Sequence, residues 1–259
     1  MDPCLVSVII PYYHNSRTVR HAVHSVLIQE LVCGTDCGLE IIVVDASGTF
    51  NEKKLDGLGN PYGYRIRTAG GGDRLDAAGA RNLGVSEAKG IYVAFLDADD
   101  WWEEGKLKAQ LEQLGNCDND SDVKLSFTAR RLCDEKGRKT ARIIPAPEKV
   151  GFRELCRSNY ISCSSVVMKR ETALDFPMKS GNIHEDYLCW LEIFRDGGYA
   201  VGINEPFLNY RSYRTSRSGK KLGSALMTCR TYKAAGFGFI KRIVCMMRYS
   251  VNGLRKYLS

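Results

Sequence analysis

The chain has 259 residues, of which 44% are hydrophobic and 26% are charged. A chain of this size can bury one sizeable core, most naturally one domain with an appendage, and two full domains would be cramped. No segment approaches the roughly 18 uncharged apolar residues of a membrane span, and residues 1–6 lack the pattern of a signal peptide, so we expect a cytoplasmic protein.

The net charge of +7 is unevenly distributed. Residues 1–205 contain 25 Lys and Arg against 30 Asp and Glu, whereas residues 206–259 contain 12 Lys and Arg and no acidic residue. Such a basic segment indicates an anionic partner, for which nucleic acid and anionic lipid are the two candidates.

The ten cysteines show no paired CxxC spacing, and several lie in apolar segments. We therefore expect reduced structural thiols rather than disulfides. Cys33 and Cys37 form one CxxxC, but a zinc site would need two further ligands, so we predict no metal there.

The first half of the chain alternates apolar runs with amphipathic segments. The runs predict strands at residues 6–10, 41–44, 64–68, 91–96 and 123–128. Apolar residues at helical spacing predict helices at residues 19–27, 75–88 and 107–114. This alternation is typical of a three-layer α/β fold with a parallel sheet and right-handed crossovers.

Beyond residue 130 the alternation is less regular. Residues 134–137 resemble a turn, and Pro145 and Pro147 bound a loop. We predict strands at residues 165–168 and 199–203 and a helix at residues 185–194. The second half is therefore expected to have α+β character.

Three carboxylates, Asp97, Asp99 and Asp100, follow the predicted strand at residues 91–96. In open α/β sheets ligands bind beyond the carboxyl ends of the strands, so these acids lie where a ligand is expected. Neighbouring carboxylates repel one another unless a cation compensates, and a divalent metal carrying substrate phosphates is a common one. The alternative is an acidic turn that caps the next helix.

Further acids fall at the ends of predicted elements: Asp45 follows a strand, and Glu185 with Asp186 begins a helix. Together with the first cluster they would allow one carboxylate to bind a base, another to hold a metal and a third to accept a proton. Each position also has a structural explanation. Asp45 could form an Asx turn, and acidic residues are favourable at the N-terminus of a helix.

Five segments in order resemble the family 2 glycosyltransferases of the GT-A fold, over about residues 5–218. They are VSVIIPYY, IIVVDAS, GARNLGVSEAKGIYVAFLDADDWW, HEDYLCWLEIFRDGGY and INEPFLNYRSYRTSRS. The resemblance implies a catalytic domain at residues 1–218, with a nucleotide-binding half at about 1–100 and an acceptor-binding half at about 101–218. It also implies an inverting enzyme that uses a nucleotide sugar and Mn²⁺ or Mg²⁺.

The resemblance assigns a role to each motif residue. The implied donor-binding residues are Pro11, Tyr13, Asp45, Arg81, Asp97, Ala98 and Arg211. Among them, Asp45 would accept a hydrogen bond from the base and Asp97 would contact the ribose. Asp99 would bind the metal, which stabilises the departing diphosphate. Asp186 would be the general base, and Glu185 would position the acceptor or the base.

This chain departs from the family pattern at three positions. His14 replaces the usual Asn, Ala46 replaces a frequent Asp, and Tyr213 stands where a metal-binding His often lies. The third departure suggests that Asp99, diphosphate oxygens and water complete the metal shell. The arginines that follow form either a mobile cationic loop at the diphosphate or a solvated basic turn; they are Arg211, Arg214 and Arg217.

Residues 219–259 are predicted to form a basic amphipathic helical tail. The apolar stripe consists of Phe237, Ile240, Val244, Met247, Val251, Leu254 and Leu258. The basic residues beside it are Lys241, Arg242, Arg248, Arg255 and Lys256. Such a helix is suited to an anionic bilayer surface, and the alternative is packing on the catalytic domain or in a dimer. Nucleic acid is not favoured, because no RRM, zinc-finger or helix-turn-helix pattern accompanies the charge.

The sequence therefore predicts an inverting glycosyltransferase of bacterial polysaccharide biosynthesis. Its donor would be a nucleotide sugar, UDP-linked, and its acceptor a glycan or a polyprenyl-diphosphate-linked sugar at the inner face of the cell membrane. A sugar-phosphate nucleotidyltransferase is one alternative, but it needs a glycine-rich loop where Pro11 follows the first strand. An inactive binding protein is the other, and it would not require Asp186 beside an intact DxD.

Overall fold

The computed structural model describes residues 4–14, 17–31, 38–70, 74–117, 120–213 and 221–258, and for residues 221, 222 and 250–258 the backbone alone. The strands in these ranges are β1 Cys4–Tyr12, β2 Gly38–Asp45, β3 Arg65–Gly70, β4 Tyr92–Phe95, β5 Trp101–Trp102, β6 Val123–Cys133, β7 Lys139–Ile144, β8 Lys149–Gly151, β9 Val167–Lys169 and β10 Tyr199–Arg211. The helices are α1 Val19–Leu27, α2 Ala77–Glu87, α3 Lys106–Asn116, α4 Phe152–Leu155, α5 Arg170–Asp175, α6 Glu185–Ile193, α7 Lys221–Ala234 and α8 Phe239–Leu258. The expectations for Cys33, Cys37, Arg214 and Arg217 lie outside the described residues.

All the strands belong to one twisted sheet, whose main order is β3-β2-β1-β4-β9-β6-β10-β5. The first four strands are parallel. β9 is antiparallel to both of its neighbours, whereas β6 and β10 are parallel to each other. β5 and β8 pair antiparallel with β10, and β7 pairs antiparallel with β6. The sheet is therefore parallel in the half formed by β3, β2, β1 and β4 and mixed in the other half.

Alternate residues of the central strands pack into opposite layers, which is why these strands are apolar on both faces. Ile9 and Phe95 lie in the core that contains α2 and α6, whereas Val8 and Ala94 lie in the core that contains α1 and α3. All four side chains are almost completely buried. The predicted three-layer α/β architecture is confirmed.

A close approach at Gly84 sets the position of α2 on the sheet. A Cβ atom at this residue would lie 2.3 Å from Ile9 Cγ2 and 3.2 Å from Val44 Cγ2. Any larger side chain would push the helix away from β1 and β2. Close packing at Gly84 therefore fixes how near α2 lies to β1 and β2.

The last strand differs from its sequence prediction. Residues 199–203 were expected to be a short strand, but β10 continues to Arg211. Its pairing with β6 shifts between Ile203 and Leu208, in the segment that contains Pro206. Proline has no N–H to donate, so this segment bulges and pairing resumes afterwards. The bulge lets β10 return to the sheet and carry Arg211 to the acids after β4.

The C-terminal helices pack on the core and also expose apolar residues. Phe237, which precedes α8, is 6% exposed and stacks on Tyr232 of α7 with ring centroids 5.3 Å apart. By contrast, Ile240 is 78% exposed and Met247 is 56% exposed. Of the predicted stripe, Phe237 precedes α8 and is buried, whereas Ile240 and Met247 lie on one exposed face of the helix, and Cys245 packs in the core on the other side. The stripe residues beyond 249 lie outside the described side chains.

Candidate active site

A pocket of about 580 Å³ lies at the carboxyl ends of β1 and β4 and beside the first turns of α2 and α6. The predicted site residues that line it are Pro11, Tyr13, Arg81, Asp97, Ala98, Asp99 and Glu185. Asp45, Asp186 and Arg211 are not part of this lining. The fold thus brings residues from five separate segments of sequence to one depression.

Arg81 of α2 is the charged centre of the pocket. Its Nη2 lies 2.6 Å from Asp97 Oδ1, and its Nη1 lies 3.1 Å from Glu185 Oε1. The Arg81 side chain is only 6% exposed and that of Glu185 12%, so this pair is largely desolvated, whereas the Asp97 side chain is 33% exposed. Because both carboxylates belong to different elements, the guanidinium connects the end of β4 to the start of α6.

Asn82 holds the segment that precedes α6 against α2. Its Nδ2 donates to the Met178 carbonyl at 2.8 Å, and the Met178 N–H donates to Asn82 Oδ1 at 2.9 Å. Met178 Sδ also lies 3.9 Å from Arg81 Nη1. This two-bond bracket positions the pocket wall formed by Ser180 and Gly181.

The acids after β4 occupy different environments. Asp97 is held by a hydrogen bond from its own N–H to Ser164 Oγ, at 3.1 Å, and its carboxylate faces Arg81. Burial and then the charge of Asp97 raise the pKa of Asp99 to about 6. Burial and then the charge of Asp99 raise the pKa of Asp100. The cluster therefore carries unfavourable negative charge that a cation would relieve.

Arg211 holds the loop that contains Asp99 and Asp100 and does not line the pocket. Its N–H donates to Asp100 Oδ1 and its Nε donates to the Asp99 carbonyl, both at 2.9 Å. The guanidinium also donates to the Glu135 carbonyl and lies 5.2 Å from the ring of Trp101. The predicted contact between Arg211 and the donor stays a prediction, since these partners occupy much of its hydrogen-bonding capacity.

Asp45 closes its own loop with its carboxylate. It accepts hydrogen bonds from Ser47 N–H at 3.0 Å, Ser47 Oγ at 2.9 Å and Phe50 N–H at 2.8 Å. Burial opposes ionisation, but these bonds dominate and lower the pKa of Asp45. The geometry is that of the Asx turn considered above. Contact of Asp45 with a base stays a prediction.

His14 adopts a left-handed backbone with φ 55. Asn and His are among the few non-glycine residues that enter this region readily, which gives a physical reason for their exchange at this position. The ring packs against Tyr13 with centroids 4.7 Å apart, and its Nδ1 lies 3.2 Å from Thr49 Oγ1. This turn presents the exposed Tyr13 ring at the pocket rim.

Asp186 lies in the first turn of α6, next to the pocket-lining Glu185. It is partly buried, and its Oδ1 accepts the Tyr187 N–H at 2.7 Å. Burial and then the charge of Glu185 raise the pKa of Asp186. A carboxylate with a raised pKa is a stronger proton acceptor when ionised, which suits general-base chemistry.

Helix α7 fastens the start of α6 from outside the pocket. The His184 N–H donates to Thr231 Oγ1 at 3.0 Å, and the Tyr187 and Tyr232 hydroxyl oxygens are 2.9 Å apart. Farther along, Arg195 Nη2 donates to the Ala235 carbonyl at 2.8 Å. The C-terminal helices are therefore part of the structure that positions Asp186.

The residues from the first strand to the end of α5 match a known family. The model for "Glycosyl transferase family 2" matches residues 7–174. The chain belongs to glycosyltransferase family 2. This family 2 enzyme is therefore a transferase, and membership displaces the nucleotidyltransferase alternative.

Two curated relatives of this family 2 enzyme match over almost their whole lengths. TuaG of Bacillus subtilis, named as a teichuronic acid biosynthesis glycosyltransferase, is 31% identical over 98% of both chains. WfaP of Escherichia coli, named as a UDP-Glc:alpha-D-GlcNAc-diphosphoundecaprenol beta-1,3-glucosyltransferase, is 30% identical over 98% of this chain and 95% of its own.

A solved structure confirms the fold of the family 2 enzyme. The mannosyltransferase PcManGT of Pyrobaculum calidifontis, in complex with GDP-Man and Mn²⁺, superposes with a TM-score of 0.65. The match covers 94% of this chain and 68% of that chain, at 15% identity. The likeness at this identity concerns the GT-A architecture.

The site of this family 2 enzyme contains carboxylate oxygens that suit a divalent metal ion. Among the described residues no three His, Cys, Asp or Glu side chains converge as a complete metal-binding group. However, Asp99 lines the pocket with a raised pKa, and the buried Asp100 Oδ2 receives no well-aligned hydrogen bond from the described residues. Carboxylate oxygens are preferred ligands of Mg²⁺ and Mn²⁺, so substrate oxygens and water would complete the shell. Burial and Asp99 also raise the pKa of Tyr213, at the position of the expected histidine.

Several residues of the family 2 site were not foreseen from the sequence. Ser164 holds the Asp97 backbone, and Asn82 forms the bracket to Met178. Asp76 caps α2 through the Gly79 N–H at 2.8 Å and accepts from Ser180 Oγ at 3.0 Å. Of these residues, only Asn82 could have been identified from the sequence, because it directly follows Arg81 in a motif segment. The other contacts join residues far apart in sequence.

Proposed function

We propose that this enzyme transfers a sugar, with inversion, from a UDP-linked donor to a hydroxyl group of a lipid-diphosphate-linked acceptor in bacterial polysaccharide assembly. The observation that carries the reaction class is the placement of Asp186 beside a pocket whose Glu185, Arg81 and Asp97 form a continuous ion-paired chain. The names of TuaG and WfaP support the polysaccharide context, and that of WfaP supports the donor and acceptor classes.

The proposed reaction is a single displacement. The Asp186 carboxylate takes the proton of the acceptor hydroxyl while that oxygen forms a bond to the anomeric carbon. The bond from this carbon to the diphosphate oxygen breaks on the opposite face, which inverts the configuration. A divalent cation bound by Asp99 would stabilise the negative charge of the leaving group.

The donor would lie in the pocket, with Pro11 and Tyr13 beside the base and Asp97 beside the ribose. Arg81 acts differently from a free phosphate-binding arginine, because two carboxylates already occupy its guanidinium. Its proposed role is to hold the carboxylates of Asp97 and Glu185 in fixed relative positions. The donor thus binds to a site whose charged groups are aligned beforehand, which lowers the cost of organising the transition state.

We also propose that α8 rests on an anionic membrane surface. Phe239, Ile240, Ile243 and Met247 are all exposed, and at about 100° per residue they fall on one face of the helix. The exposed Arg248 lies beside this face. None of the helices in the described ranges combines the length and apolar character required to cross a bilayer. An exposed apolar face with basic neighbours suits the interfacial position instead.

The catalytic proposal is tested with Asp186→Asn and Asp99→Ala. With UDP-sugar and a lipid-diphosphate acceptor, Asp186→Asn should lower kcat by roughly 10² to 10⁴-fold and leave the KM for the donor unchanged. Asp99→Ala should abolish the metal dependence of donor binding, measured by calorimetry with UDP. Asp196→Asn, an exposed position after the same helix, is the matched control. Full turnover in Asp186→Asn would refute the base assignment.

The membrane proposal is tested by sedimentation with vesicles that contain 30% phosphatidylglycerol. Replacing two large apolar side chains, in Ile240→Ser with Ile243→Ser, should weaken vesicle binding on the order of 10-fold or more. Leu174→Ser, an exposed position on α5, should have no effect. Equal binding of the double variant and the unmodified chain would show that α8 does not contact the bilayer.

A further inference from the structure

One arginine near the catalytic helix has no bonded partner in the described structure. Arg130 of β6 is partly buried, between its register partners Leu208 of β10 and Ile144 of β7. Its guanidinium carbon lies 5.9 Å from the centre of the Tyr210 ring. No hydrogen bond or ion pair joins this guanidinium to a residue within the described ranges.

The other arginines of the site are engaged. Arg81 forms two ion pairs, and the Arg211 side chain donates to the carbonyls of Asp99 and Glu135. The Arg130 guanidinium stays protonated and carries five N–H donors. None of its nitrogens is among the fully buried polar atoms that lack a hydrogen-bond partner in the described structure, so solvent or a ligand can reach them. An anionic ligand could therefore form charge-assisted hydrogen bonds with this guanidinium without displacing a protein partner.

The surroundings of Arg130 locate it on the acceptor side. The charged or titratable groups that act on it are Tyr210, Asp100, Tyr249 and Asp186. It therefore lies within electrostatic reach of both the proposed base on α6 and Tyr249 on α8. Arg130 is not part of the donor pocket lining. Its accessible donors thus lie outside the donor pocket but within electrostatic range of the catalytic helix.

We propose that Arg130 binds the phosphate that joins the acceptor sugar to its lipid carrier. This inference rests on the proposed function, in which the acceptor hydroxyl lies at Asp186. In a sugar attached through C1 to a lipid diphosphate, the reacting hydroxyl and the first phosphate are separated by one sugar ring. A guanidinium near Asp186 is therefore suitably placed, and its planar donors match a phosphate group.

A purely structural role for Arg130 makes a different prediction. As a brace for Tyr210 or a counter-charge for Asp100 and Asp186, it would affect every acceptor equally. As a phosphate-binding residue, it would matter only for acceptors that carry the phosphate. The two roles are separated by comparing charged and uncharged acceptors of the same sugar.

The experiment compares Arg130→Gln and Arg130→Lys with the unmodified enzyme. One acceptor is a sugar joined through diphosphate to a short prenyl chain, and the other is the octyl glycoside of the same sugar. We expect Arg130→Gln to raise the KM for the diphosphate acceptor by about 10-fold or more, with kcat and the donor KM unchanged. Arg130→Lys should recover part of the loss, and the octyl glycoside should react equally with all three proteins.

Direct binding gives a readout besides turnover. With the donor pocket filled by UDP and Mn²⁺, farnesyl diphosphate should bind the unmodified enzyme and lose affinity in Arg130→Gln. Arg131→Gln, the next residue on β6, whose side chain donates to the Thr140 carbonyl at 3.2 Å, is the matched control. Equal losses on both acceptors, or unchanged farnesyl diphosphate binding, would overturn the proposal. If the unmodified enzyme uses octyl glycosides but no diphosphate acceptor, the lipid acceptor itself is refuted and this inference with it.

Discussion

The donor pocket and the acceptor side differ in how their charges are satisfied. In the pocket, Arg81 is bonded to both Asp97 and Glu185. On the acceptor side, Arg130 has no bonded partner within the described residues, and α8 exposes an apolar face. The donor site is therefore organised by the protein alone. The proposed acceptor side contains groups that no described residue covers, namely the Arg130 guanidinium and the exposed apolar face of α8.

This difference indicates which of the two regions depends on a bound partner to complete its interactions. A pocket with paired charges keeps its geometry without ligand, and binding then requires little rearrangement. An accessible guanidinium and an exposed apolar face remain available to a partner, which covers them when it binds. Three substitutions test this comparison, in order of their expected effect on the free energy of unfolding.

The largest effect is expected for Arg81→Met. Removing the guanidinium leaves Asp97 and Glu185 unpaired in a partly buried place, so unfolding free energy should fall by about 3 kcal/mol, measured by urea denaturation. The control is Arg138→Met, whose ion pair with Asp134 is largely exposed, so that its loss should have little effect on stability. Equal losses in the two variants would show that the pocket does not depend on its internal ion pairs.

An intermediate effect, of opposite sign, is expected for Asp99→Asn without metal. The raised pKa of about 6 means that the folded state binds a proton more tightly than the unfolded state. The ionised carboxylate therefore destabilises the fold above pH 6, and the lost stability returns as the pH falls toward 4. Asp99→Asn should be more stable by roughly 2 kcal/mol at pH 7.5 in EDTA and equal to the unmodified protein near pH 4. A gain that does not vary with pH would argue against this origin.

The smallest effect is expected for Thr231→Val on α7. The substitution removes the acceptor of the His184 N–H and should cost about 1 kcal/mol, while loosening the first turn of α6. We expect kcat to fall several-fold with an unchanged donor KM. Thr228→Val is a matched control, because Thr228 is equally buried and its hydroxyl, among the residues that the structure describes, bonds only to the Ser224 carbonyl of the same helix. If both variants keep full kcat, α7 does not position the catalytic turn.

Most of the nucleotide half could be predicted from its sequence, for a physical reason. Strands covered on both faces, such as β1, β2 and β4, appear as uninterrupted apolar runs. The antiparallel strands β5, β7 and β8 are short or exposed and lack this pattern. Helix α7 falls within the predicted helical tail, but its packing on the core was not predicted, because Thr228 and Thr231 occupy fully buried positions where a core-facing helical pattern usually has apolar residues.

The site was predictable in its composition but not in its connections. The motif segments contain Arg81, Asp97 and Glu185, yet their ion pairs span up to 104 residues of sequence and depend on the folded sheet. Asp45 shows that a motif residue does not by itself reveal its role, since the same carboxylate can bind a base or close its own turn. Arg130 belongs to none of the motif segments, and only its missing bonds in the fold distinguish it.

The bonds from α7 to α6 also bear on the order in which the chain is made. Synthesis proceeds at about 5 to 20 residues per second, and N-terminal parts fold first. The donor pocket residues up to Glu185 therefore emerge several seconds before Thr231 and Tyr232 can fasten the start of α6. The pocket would therefore assemble before α7 fastens the first turn of α6, which carries Asp186.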